Sequence, residues 1–397
     1  MFINFIFAQS RFLFFGLFTA FFASYGQTFF ISIFNFQIRE VLNISNAQFG
    51  LLYSSATIVS AGILIWFGKL IDKIDLRLYT LIISFGLSIF CYAMSILEYI
   101  PSIIFIIILG LRFFGQGAMG HTSQTSMARY YEFDRGKAIS FGSFGQPLGE
   151  MIFPLLAVWI IKKYGWEYVW VYASFSLIAI YIPLYLFLLR NHENRHKQFI
   201  EKQKNNINSW NTKDVVRDIK FFIYLPSYLM PSFIVTGLLF YQVHIAKDKN
   251  WSIELLASSY VFFGLFGILG MIVGGPWVDK VNTRSIIPIY LIPMFLGILL
   301  LSISNNPLVI FIYMSLMAFS GGLGVPVMGS LWAELYGVMN LGAVKALLHA
   351  ISVFASALSP FLFGLFIDWD LGTSFICYFC LALIFVSTML TYIYKKI

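Results

Sequence analysis

Residues 68–77 read GKLIDKIDLR, and residues 275–284 read GPWVDKVNTR. Gly68, Asp72, Lys73 and Arg77 of the first stretch recur as Gly275, Asp279, Lys280 and Arg284 of the second, each 207 positions later. The correspondence continues at an offset of 206, through Pro101 and Pro307, Gly136 and Gly342, and Pro154 and Pro360. Special residues that agree at a constant spacing mark an internal repeat, and a repeat constrains architecture before any local reading does. Both charged stretches lie between long apolar runs, so the repeated unit is a set of apolar segments.

The composition says what those segments are. Of 397 residues, 59% are hydrophobic, 19% aromatic and 11% charged, where a soluble domain carries about 25% charged residues. That excludes a soluble enzyme, a disordered chain and a nucleic-acid-binding domain. A helix needs about 20 apolar residues to cross the hydrocarbon core. Cutting the chain at charge clusters and at Pro, Gly and Asn breaks predicts twelve spans, near 12–37, 47–69, 78–97, 102–128, 137–161, 167–189, 219–246, 253–276, 285–303, 308–334, 342–367 and 371–394. The apolar run from Phe12 to Phe36 is too long for a signal h-region, so it reads as the first span and not as a cleavable signal. The long polar stretch at 190–220 divides the spans six and six. The expected organisation is a bundle over 1–189, a solvated, partly helical linker over 190–218 and a second bundle over 219–397. An even number of spans per unit inserts both copies the same way up, which places the pseudo-twofold axis along the membrane normal.

The net charge of +8 mainly encodes orientation. Twenty Lys and Arg fall on the side of the termini, eight of them between Arg190 and Lys220. Five fall on the opposite side (Arg39, Lys162, Lys163, Lys247 and Lys249), and Arg112 lies inside a span. The positive-inside rule then expects both termini in the cytoplasm of a cell (inner) membrane protein. Contact of the 190–220 stretch with anionic lipid is the lesser reading.

The residues now reach a family. The G-x-L-x-D-K-x-x-x-R pattern between spans 2 and 3, with its degenerate copy between spans 8 and 9, resembles the signature loop of the major facilitator superfamily. Arg112 followed by GQGAMG (115–120) resembles that family's second motif, and GSFGQPLGE (142–150) sits where the family has a Gly/Pro-rich motif. More loosely, the run from LRFFGQGAMGHTSQTSMARYY to GQPLGE is similar to the bacterial monocarboxylate-porter-like branch. Asp75 and Leu76 stand where the family often has Gly and Arg, and the glycine spacing after Arg112 is its own. The resemblance implies an all-α fold of two six-helix bundles and transport by alternating access. It also implies that Asp72 and Asp279, with Lys73, Arg77, Lys280 and Arg284, form a cytoplasmic gate against the helix starts near Gly342 and Gly136. There a carboxylate meets the amides and positive end of a neighbouring helix. Gly68 and Gly275 are expected to allow close helix approach.

Intramembrane charge is costly and therefore points to function. Arg112 lies about 15 Å into span 4 and Glu150 about 17 Å into span 5, counted from the same side at about 1.5 Å per residue. Two readings stay open. In one, Glu150 exchanges a proton while Arg112 holds it or an anionic substrate; in the other the two form a static ion pair. Further polar residues recur at helical spacing: Tyr25 and Gln27 in span 1, Gln116, His121 and Gln124 in span 4, and Gln146 in span 5. Tyr241 in span 7 and Lys345 and His349 in span 11 complete the set. Such stripes face a watery cavity or another helix. Together with Arg112 these are the candidate substrate-binding residues, and Glu150 is the candidate proton-coupling residue.

Cys91, Cys377 and Cys380 all lie in apolar runs and supply no disulfide framework. No P-loop, no H-E-x-x-H and no metal-ligand cluster is present, so neither a cofactor nor a metal is expected and the chain does not read as an enzyme. The energy source is then an ion gradient. The expected activity is proton-coupled uptake of a small organic anion such as a monocarboxylate by a monomer in the lipid bilayer. The alternative is proton-driven efflux of amphipathic drugs or metabolites.

Overall fold

The computed structural model describes residues 2–72, 74–131, 135–190, 215–281, 283–336 and 341–396. Among these residues twelve helices are long and apolar enough to cross a membrane. They are α1 (Ser10–Leu42), α2 (Asn46–Ile71), α3 (Leu76–Ser95), α4 (Pro101–Tyr130), α5 (Ala138–Tyr164) and α6 (Trp166–Leu188). Then come α7 (Ile219–Phe240), α8 (Ile253–Val278), α9 (Thr283–Ile303), α10 (Val309–Tyr336), α11 (Leu347–Asp368) and α12 (Gly372–Tyr394). The 190–218 linker lies largely outside the described residues.

The helices are turned inside out relative to those of a soluble protein. On α3, Leu78, Ile82, Phe85, Ile89 and Tyr92 form an exposed apolar stripe at helical spacing, while Tyr79, Ile83, Leu87, Cys91 and Met94 are buried. In water that stripe would be a liability; against hydrocarbon it is the matching surface.

The chain forms two compact units, one of residues 1–42 and 55–207, the other of residues 43–54 and 208–397. The second thus takes the first turns of α2. In the first unit, α1 is not one continuous helix. A tight 3-10 turn over Ala23–Gly26 is followed by Gln27 in an extended conformation, after which the helix restarts at Thr28. It runs on to Leu42, beyond the expected end near 37, with Arg39 Nε donating to Asn35 Oδ1 at 2.9 Å. In α4, Leu111–Met119 is wound as a π-helix, a form often found at functional sites. These two irregular segments touch backbone to backbone: a Cβ on Gly115 would lie 2.6 Å from the Gly26 Cα. Only glycine at both positions permits that approach.

The end of α6 is tied down by two arginines. Arg77 Nε and Nη2 donate to the Leu189 carbonyl at 3.1 and 2.9 Å. Arg11 Nη2 donates to the Phe187 carbonyl at 2.7 Å, with its guanidinium 5.2 Å from the Phe187 ring. Cations that meet the last carbonyls of a helix satisfy orphan acceptors and oppose the negative end of its dipole. Asp75, an unusual residue by family pattern, caps α3 by accepting from the Arg77 amide at 2.8 Å.

In the second unit, α8 and α10 cross closely, the position of a Cβ on Gly322 being filled by the Gly267 carbonyl. The expected span 219–246 is split: α7 closes at Phe240, Tyr241 is its C-cap, and a short helix continues over Gln242–Asp248.

Candidate functional site

The site in the first unit begins with the break in α1. In a continuous helix the Phe30 amide would bond to Gly26; here it donates to the Gln27 carbonyl at 3.2 Å. The Gly26 carbonyl is thereby released from its helical duty, and Arg112 takes it: Nη1 donates to Gly26 O at 3.0 Å. The same guanidinium reaches Thr28 Oγ1 at 3.4 Å through Nη1 and Thr57 Oγ1 at 3.1 Å through Nε. Arg112 is 1% exposed. A positive charge thus sits inside the unit, held by neutral oxygens from α1 and α2.

Glu150, also buried, lies one residue beyond the contact of α5 with α1, where the Ser24 hydroxyl fills the place of a Cβ on Gly149. Its Oε1 accepts from Gln146 Nε2 at 3.0 Å, one turn earlier on the same helix. The structure therefore corrects the reading of Arg112 and Glu150 as a static pair. Their described bonds go to different groups: Arg112 to Gly26, Thr28 and Thr57, and Glu150 to Gln146.

The remaining candidates separate by environment. Tyr25 is buried, its hydroxyl 2.9 Å from Ser176 Oγ and its ring packed on Phe153. It belongs to the packing of α1 with α5 and α6. Gln27 and Gln116 are half-buried beside the α1 break and within the π-helical segment, while Gln124 and Gln146 are exposed. His121 lies 3.3 Å from Thr125 Oγ1 and faces Gly68.

In the second unit, the Tyr241 hydroxyl donates to two backbone carbonyls, Asn46 at 2.9 Å and Pro360 at 2.8 Å, and the side chain is buried. It braces three helices. His349 is exposed. Three residues further along α11, Ser352 bonds Ser232 at 2.6 Å, joining α11 to α7.

Of the expected gate residues, all of Lys73 and the side chains of Asp72 and Asp279 lie outside the described residues, as does the side chain of Lys345. Lys280 and Arg284 are exposed. Arg77 holds the end of α6. The close-approach role expected of Gly68 and Gly275 is not what the structure shows. Among the described residues a Cβ on Gly275 meets nothing within 4 Å, and one on Gly68 makes an ordinary 3.4 Å contact with His121. The backbone contacts are made instead by Gly26, Gly115, Gly145, Gly267 and Gly322.

Three partners of Arg112 escaped the sequence reading: Thr28, Thr57 and the Gly26 carbonyl. An intramembrane Thr was the available signal, but nothing along the chain ties Thr57 to a residue 55 positions away. Among the described residues no group of three or more His, Cys, Asp or Glu side chains could hold a metal ion.

Known proteins agree with this architecture. The family model of the Major Facilitator Superfamily matches residues 13–280 and 221–396. A relative from Bacillus subtilis (strain 168), described as the uncharacterized MFS-type transporter YcxA, is 23% identical over 392 residues, which cover 94% of this chain and 93% of that protein. With twelve apolar helices among the described residues and family matches that together run from residue 13 to residue 396, the chain is a multi-pass membrane protein and belongs to the Major Facilitator Superfamily.

Proposed function

We propose that this secondary transporter carries a small organic anion, such as a monocarboxylate, inward together with a proton by alternating access. The observation that supports it is Arg112, a guanidinium buried within a membrane-spanning helix beside the break in α1, because an intramembrane charge of this kind marks a substrate or ion pathway. Glu150 is the proposed proton carrier. It is buried, held by the neutral Gln146, and distinct from the Arg112 cage, so it is able to change protonation without dismantling that cage. Gln27 and Gln116, half-buried beside the break and the π-helical segment, are proposed to complete recognition of the anion.

The proposal keeps both termini cytoplasmic, on the basic-residue asymmetry, and assigns Asp72 and Asp279 to the cytoplasmic gate on the strength of the repeat. It takes the working unit as a monomer. The second reading, proton-driven efflux of amphipathic compounds, draws support from the aromatic wall beside Glu150. There Phe153 packs on both Phe21 and Tyr25 with ring centroids 4.6 Å apart.

Proteoliposomes separate these readings. Uptake of radiolabelled small monocarboxylates that rises when the exterior is acidified supports the symport reading. Uptake indifferent to an imposed proton or sodium gradient counts against it. Accumulation of a lipophilic dye in preference to any organic acid moves the assignment to efflux.

A further inference from the structure

In the first unit, the corner where α1 starts and α6 ends carries arginines that the transport reading does not use. Arg11 is fixed there. Its Nη2 donates to the Phe187 carbonyl at 2.7 Å and to the Arg190 carbonyl at 3.3 Å, and its guanidinium lies 5.2 Å from the centre of the Phe187 ring. A guanidinium held by two carbonyls and an aromatic face is a positioned charge. Its side chain is nonetheless exposed, and among the described residues Nε and Nη1 have no acceptor. Arg190 gives Arg11 only its carbonyl. Its own side chain is exposed and meets no described partner. The carbonyl end of a helix offsets only about half an elementary charge, so the corner stays positive. One turn deeper it becomes apolar. Phe14 follows Arg11 by three residues, which keeps both on one face of α1 about 4.5 Å apart along the axis. Phe14, Leu186 and Phe187 are all exposed.

We propose that this corner is a binding site for one anionic phospholipid, with its phosphate against Arg11 and Arg190 and its acyl chains along Phe14 and Phe187. Charge complementarity calls for an anion, because no described carboxylate neutralises either arginine. Guanidinium N–H groups match the oxygens of a phosphate. The exposed apolar side chains immediately below call for an anion that continues into hydrocarbon, which a free phosphate does not. The depth fits as well. Arg11 is the second residue of the first span and Arg190 lies two residues beyond the end of the sixth, so both stand where lipid headgroups lie. The helix end that carries Arg190 is the one that holds Arg11 in place, so the two charges form one site. The site rests on the chain being a membrane protein; it needs neither the cargo nor the coupling proposed above.

The test uses no transported solute, so it can fail while the symport reading stands, and the reverse. Phosphatidylglycerol is titrated into the detergent-purified full-length protein and bound lipid is counted by native mass spectrometry, with zwitterionic phosphatidylcholine for comparison. Arg190→Gln leaves in place the carbonyl that Arg11 uses, and is expected to weaken binding of the tightest-held phosphatidylglycerol about fivefold. Combining it with Arg11→Gln should weaken binding about thirtyfold, the scale of removing two basic groups from an anionic headgroup. Binding of phosphatidylcholine should not change. Arg217→Gln removes an exposed charge elsewhere and should leave phosphatidylglycerol binding intact. Phosphatidylglycerol held equally by the parent, Arg190→Gln and the double variant overturns the proposal. So does an equal loss in Arg217→Gln, which marks diffuse attraction to net charge. Displacement of the lipid by inorganic phosphate also overturns it, because the site is then one for the free anion.

Discussion

Gly26 and Gly115 meet with no space for a side chain on either: a Cβ built on Gly26 would lie 2.7 Å from the Gly115 Cα, and the reverse distance is 2.6 Å. The contact joins the broken part of α1 to the π-helical part of α4, three residues from Arg112. It therefore sets where the Gly26 carbonyl stands relative to the guanidinium. Gly115→Ala is expected to push α1 and α4 apart and to destabilise the protein by about 1–3 kcal/mol, the usual cost of overpacking. A thermal unfolding midpoint in detergent equal to that of the parent protein would contradict the fit described here. Gly275→Ala, whose added Cβ meets no atom of the described residues within 4 Å, is the control and should leave the midpoint unchanged.

The Arg112 cage makes a graded prediction. Arg112→Ala should weaken binding of a monocarboxylate by about a hundredfold, the scale of losing a buried charge-assisted interaction. Thr57→Val, which keeps shape and removes the acceptor of Nε, should weaken it about fivefold, while Thr57→Ser should retain most of it. Titration calorimetry on the detergent-purified protein reads all three. Equal affinity in Arg112→Ala and the parent removes Arg112 from the binding site.

Glu150→Gln preserves size and the bond to Gln146 but cannot lose a proton. Uphill uptake driven by an imposed proton gradient should vanish, whereas exchange of labelled for unlabelled substrate across the membrane should continue at a similar rate. Counterflow lost along with uphill uptake would point to a folding or binding role for Glu150. Unchanged uphill uptake would exclude it from coupling.

Arg77 separates a structural from a gating role. Its two bonds to the Leu189 carbonyl predict that Arg77→Ala lowers stability by about 1 kcal/mol, measured by thermal unfolding, with the substrate KM unchanged. Arg77→Lys, unable to form the fork, should recover only part of the loss. A variant of full stability that nonetheless transports slowly would return Arg77 to the gate.

Much of the architecture was legible along the chain. The twelve spans follow from apolarity over about 20 residues, cut at Gly, Pro and charged positions. Those signals are one-dimensional, because lipid demands continuous apolar length and internally bonded backbone. The mid-span charges at 112 and 150 were visible for the same reason: a charge in an apolar run stands out wherever it points.

What those charges touch was decided only by the fold. Arg112 and Glu150 were placed at one depth by counting, yet depth leaves the rotation of each helix about its axis undetermined. Rotation is set by which small residues let backbones meet, here Gly26 on Gly115 and Gly145 on Leu17. It sends Arg112 to Thr57, Thr28 and a carbonyl released by a break at Gln27 that no residue at that position announces. Tyr241 and Tyr25 read as cavity residues because a tyrosine has a polar tip. The tertiary structure gave those hydroxyls to Asn46, Pro360 and Ser176, since a buried donor takes whichever acceptor packing brings within 3 Å.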